Sequence, residues 1–72
     1  MVNINKLKGK IIEKGLTVEK LAEKIGIDRS TIYRKMSASG KSFTIKEANL
    51  ICQALELSGQ EAMTIFFADY VA

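Results

Sequence analysis

Residues 17–36 read TVEKLAEKIGIDRSTIYRKM, and the fold turns on how this stretch is parsed. Thr17 is a residue suited to capping a helix start. After it, Val18, Leu21, Ala22 and Ile25 keep the i, i+3, i+4, i+7 spacing of an amphipathic helix. Glu19 stands in the first turn, where the helix dipole favours a negative charge. Gly26 ends the run, because glycine takes the left-handed cap conformation at the lowest cost. Asp28 is placed to cap a further helix that reaches about Met36. Two helices joined by three residues that include a glycine make a helix-turn-helix, in which the second helix lies in the DNA major groove.

That second helix has an unusual surface. At the helical period Arg29, Ser30, Tyr33, Arg34 and Ser37 fall within an arc of about 140°. Ile32 lies across from it and Met36 near one edge, so a small apolar side meets a broad donor-rich one. An α-helix fits the major groove by width, and the arginine fork matches the two acceptors of a guanine edge. Serine and threonine can donate to bases or phosphates. Tyr33 offers a flat apolar body for a thymine methyl or a sugar, with a hydroxyl at its tip. Arg29 lies near the helix start and Arg34 little more than one turn later, so both reach bases a few steps apart. The plainer alternative is that these arginines are solvated or hold phosphate alone.

Working outward, three more helices are expected, which makes the chain all-α. The first runs roughly over residues 4–14. Ile4, Leu7 and Ile11 share a face with Ile12 beside it, and Gly15 takes the cap with Leu16 folding back. After "SASGKS" (residues 37–42), which reads as a loop, Thr44-Ile45-Lys46-Glu47 is a capping box, with Phe43 and Ala48 as its hydrophobic staple. Ile45, Ala48, Ile51, Cys52 and Leu55 then form an inward stripe. Ser58-Gly59-Gln60-Glu61 repeats the device. The last helix carries two apolar arcs. Ala62, Ile65 and Phe66 form one; Met63, Phe67 and Tyr70 form the other, which serves as a homodimer seam, as further core or as part of a frayed tail.

The totals restrict the chemistry. Seventy-two residues make a single domain, 1–72, with a small core that dense helix packing or self-association would support. Residues 1–46 hold all eleven Lys and Arg and four acids, a balance of +7; residues 47–72 hold four acids and no base, −4. This asymmetry suits one face to a polyanion and turns another away from it. Histidine is absent, and one cysteine, Cys52, makes no disulfide and no metal cluster. We therefore expect no enzyme activity, metal, cofactor or small-molecule ligand. No apolar run is long enough to span a membrane, and a reducing cytoplasm is the expected location.

The stretch 17–36 resembles the helix-turn-helix of the lambda-repressor-like family, the Cro/CI and Xre-type regulators. Leu21, Ala22, Ile25, Gly26, Ile27 and Ile32 match its packing pattern, with Ala22 at the helix crossing and Gly26 in the turn. The whole chain also looks like small regulators of phages and prophages of Gram-positive bacteria, which have counterparts of "KLKGKI", "FTIKEA" and "IFFA". The resemblance implies a five-helix domain that binds double-stranded DNA as a repressor-like or Cro-like regulator, working by occupancy as a dimer. It places base reading at Arg29, Ser30 and Arg34, with Tyr33 nearby. Its phosphate contacts fall at Thr17 and Val18, and at Ser37, Lys41, Ser42, Thr44 and Lys46; on α-helical residues 28–36, Thr31 and Lys35 are expected to add to them. Two positions depart from the family. Val18 stands where a glutamine is common, and Lys35 stands where an apolar residue is usual, so Met36 is expected to fill the core and Lys35 to reach a phosphate. The same fold also serves antitoxins and adaptors, which would use the C-terminal helix for a protein partner.

Overall fold

Apolar residues at helical spacing, each run preceded by a capping side chain, build five α-helices among residues 2–38 and 43–70, the residues that the computed structural model describes. They are α1 (Ile4–Glu13), α2 (Val18–Ile25), α3 (Arg29–Ser37), α4 (Ile45–Ala54) and α5 (Gly59–Phe66), followed by a short 3-10 turn, Ala68–Tyr70. Every start is capped from the side chain before it. Asn3, Thr17, Asp28, Thr44 and Ser58 each accept a bond from a backbone N–H of the first turn. Both expected capping boxes form, Thr44 with Glu47 and Ser58 with Glu61.

Three helix ends close alike. The N–H groups of Leu16, Ile27 and Leu57 reach back five residues to the carbonyls of Ile11, Ala22 and Cys52, at 2.9, 3.1 and 3.0 Å. This turn needs one residue in the left-handed region. Gly15 and Gly26 supply it at φ 73° and 72°, but after α4 the position is Glu56, at φ 51°. A side chain there is strained by about 1–2 kcal/mol, part of which glycine's greater unfolded-state freedom offsets. Glu56→Gly is therefore expected to stabilise the fold by about 0.5–1 kcal/mol, read as a higher urea midpoint; an unchanged or lower midpoint would show that the turn carries no strain.

One side of every helix meets in a single core. Leu7 and Ile11 of α1, Leu21 and Ala22 of α2, Ile32 and Met36 of α3, Ile51 of α4, Leu55 at its end, and Ile65 and Phe66 of α5 are buried. Met36 fills the core as expected, 6% exposed. Phe43 packs on this core from the start of α4 and meets Phe66 edge to face, ring centres 6.5 Å apart. The chain start is tied to α5 by the Asn3 N–H, which donates to the Ile65 carbonyl at 2.7 Å. Lys10 of α1 adds an ion pair to Glu61 of α5, and this ammonium, with the Ser58 N–H, holds the Glu61 carboxyl down at about 2.

Two expectations are corrected. Ile45 is 69% exposed and does not join the inward stripe. At the first position of α4 it lies about 70° from the centre of the arc that Ala48, Ile51, Cys52 and Leu55 share, and outside that arc. The last helix is also shorter than its apolar pattern. Phe67, at φ −126°, leaves the helical region, and the Tyr70 N–H donates to the Phe67 carbonyl at 2.9 Å, so Tyr70 sits on the 3-10 turn.

Candidate nucleic-acid interface

The geometry of α2 and α3 decides which side chains face outward. Gly26 stops α2, and Asp28 restarts the chain by accepting the Ser30 N–H at 3.1 Å. Ile32 is fully buried in the core and Met36 almost so, and these two anchors set the rotation of α3. Arg29, Ser30, Arg34 and Ser37 are exposed as a result, and Thr31 is half-buried. Among the described residues neither arginine is held in an ion pair, although Glu19 lies near enough to Arg29 for the two charges to interact.

Tyr33 is 46% exposed, but its hydroxyl is engaged. It donates to the Glu19 carboxylate of α2 at 2.8 Å. That bond is the main reason the Glu19 carboxyl sits below the usual carboxylate range, and it raises the Tyr33 phenol in turn. Glu19 is thus part of this face, and no sequence signal beyond its first-turn place on α2 marked it. Its partner lies fourteen residues on, and only the crossing of α2 and α3 brings them together.

Lys35 turns away from this face. Its ammonium lies 2.7 Å from both carboxylate oxygens of Glu47, and the two side chains keep only 12% and 15% of their exposure. The expectation that Lys35 reaches a phosphate therefore does not match where its charge is held. The reason is rotational: at the helical period Lys35 stands about 170° from the middle of the Arg29–Arg34 arc. Burial works against ionised Glu47, but the bonds from Lys35 and from the Thr44 N–H outweigh it, and its carboxyl is lowered.

The same pair prepares the start of α4. Thr44 and Lys46 are exposed there. Glu47 takes the Thr44 N–H at 2.8 Å, and Lys35 neutralises Glu47, so the carboxylate is not left to repel an anion at that helix start. Thr17, exposed at the start of α2, accepts the Lys20 N–H at 3.1 Å. Val18 is half-buried and packs on the core instead of facing outward. Lys41 and Ser42 lie outside the described residues.

On α5 and the 3-10 turn after it, Met63, Phe67 and Tyr70 line one shallow apolar patch and are 47%, 40% and 82% exposed. Among the described residues no group of His, Cys, Asp or Glu is gathered as a metal site would need, and no helix is long and apolar enough to cross a membrane.

The family model described as the Cro/C1-type HTH DNA-binding domain matches residues 6–67, from α1 to the end of α5. No curated protein and no solved structure matches the chain.

Proposed function

Because the chain belongs to the Cro/C1-type helix-turn-helix DNA-binding family, we propose that it is a sequence-specific regulator of transcription that sets α3 into the major groove of double-stranded DNA. One observation carries the reading. Arg29 and Arg34 stand exposed on the outer side of the second helix of the motif, with no ion pair among the described residues to hold them back. In this reading they take guanine edges, and Ser30 and Tyr33 meet the neighbouring bases. Thr17, Thr31, Ser37, Thr44 and Lys46 hold the backbone, with Lys41 and Ser42 in the same role. Lys35 acts from behind, by keeping Glu47 neutralised.

Regulation is by occupancy, and the resemblance supports a repressor-like or Cro-like role of the phage type. We assign Met63, Phe67 and Tyr70 to a homodimer seam, which would set two copies of α3 on half-sites about one helical turn apart. The support is the apolar patch itself, three exposed side chains on one depression. The same patch favours a second reading, an antitoxin or adaptor that holds a protein partner there.

Selection of bound sequences from random duplex DNA, at stated salt, tests the first reading. A two-fold consensus supports it, and enrichment of nothing overturns it. Lys46→Ala is expected to weaken all duplexes alike and to reduce the slope of log affinity against log salt by about 1; a changed sequence preference would remove Lys46 from the backbone set. Phe67→Asp should lower the sedimenting mass and the affinity for a two-fold site. A wild-type chain that stays monomeric on and off DNA would remove the seam.

A further inference from the structure

Glu19 and Tyr33 form a pair to which the reading above gives no joint task. A phenol has one proton, and Tyr33 places it on the Glu19 carboxylate at 2.8 Å. What both groups still present outward is lone pairs. An acceptor-only patch therefore lies among the donors of Arg29, Ser30 and Arg34. Both side chains are exposed, and the neighbouring charge of Arg29 favours Glu19 in its ionised form.

We propose that Glu19 and Tyr33 together read an amino base, adenine or cytosine, through its exocyclic NH2 group in the major groove. This rests on the reading that α3 enters that groove. The argument is one of matching donors. The phosphate oxygens, guanine O6 and N7 and thymine O4 are all acceptors, and none of them can bond to a pair whose proton is already committed. The groove offers two kinds of donor, adenine N6 and cytosine N4. One position in each half-site is thereby restricted to adenine or cytosine on the strand that faces Tyr33, while the arginines select guanine beside it.

The test compares the wild type with Glu19→Ala, Tyr33→Phe and the double variant in the same random-duplex selection. Both residues are exposed, so the fold is kept, and circular dichroism of each variant checks this. The wild type should show one adenine-or-cytosine position per half-site. In Glu19→Ala the released hydroxyl can donate as well as accept, so guanine and thymine enter at that position and the preference falls about fivefold or more. In the double variant the preference disappears. If Glu19→Ala keeps the wild-type preference at every position and only binds all sequences more tightly, Glu19 is a repelling charge and the inference is overturned while the proposed function stands. A wild type that enriches no sequence overturns both.

Discussion

Replacing Arg34 by alanine is expected to weaken binding to the selected site by about 1–3 kcal/mol and to leave binding to random duplex much less affected. The physical case is that Arg34 does little inside the protein. It is exposed, no ion pair among the described residues involves it, and α3 is held by Ile32 and Met36 on its other side. Truncation therefore removes a contact with DNA and not a support of the fold. A bidentate bond to guanine O6 and N7 is lost only where guanine is present, whereas a phosphate bond is lost on every duplex. Titrating the variant against the selected site and a scrambled duplex, at one salt concentration, separates the two. Equal loss on both would make Arg34 a phosphate contact and shift base reading toward Arg29. Arg29→Ala is informative beside it, because Glu19 lies near that guanidinium.

Glu47→Ala carries the largest expected loss of stability, about 2–3 kcal/mol. One carboxylate holds three donor contacts here: both oxygens face the Lys35 ammonium at 2.7 Å, and one accepts the Thr44 N–H at 2.8 Å. Alanine leaves the ammonium unpaired at 12% exposure and opens the capping box of α4. Breaking one side of a fully buried pair costs about 3–5 kcal/mol, and the exposure that remains lowers the figure. A chain of this length has a total stability of only about 4–10 kcal/mol, so the shift is large.

Lys35→Met should cost less, because methionine suits a half-buried site and Glu47 keeps its bond to Thr44. The double variant should then lose less than the two single losses combined. Urea unfolding of the three variants checks this. A Glu47→Ala midpoint shifted no further than that of an exposed control, Glu23→Ala, would show that the pair contributes nothing. The pH dependence has a definite sign. The Glu47 carboxyl is lowered in the folded state, so its contribution is complete above the unfolded carboxylate range and is lost as pH falls through the lowered folded value. The difference between wild type and Glu47→Ala should shrink in acid.

What can be read locally was legible in the chain. Caps at Thr17, Asp28, Thr44 and Ser58, the stop at Gly26, and apolar spacing in each run predict helices that the structure shows with ends close to those expected. The caps and stops involve residues at most five apart and the apolar spacing residues about two turns apart, and a helix start or stop is decided over the shorter distance by backbone bonds to the nearest side chain. The donor-rich arc of α3 was legible for the same reason, since nine residues at one period fix which side chains share a side.

The partners across helices were not legible. Glu19 meets Tyr33 and Glu47 meets Lys35 over separations of fourteen and twelve residues, and nothing in either segment names the other. The sequence directs Lys35 to a phosphate because it stands where the family usually has an apolar residue and Met36 beside it takes the core place. Only the packing of α3 and α4 shows that its place opposite the outer arc puts it beside a carboxylate. Ile45 erred the other way, as an apolar residue at the margin of a stripe that closes without it. The sequence by itself determined where each helix begins, where it ends and which of its sides is apolar, because those depend on neighbours along the chain. Only the tertiary structure decided which charges meet, since one rotation about a helix axis exchanges solvent for a partner and is set by how all the buried side chains fit at once.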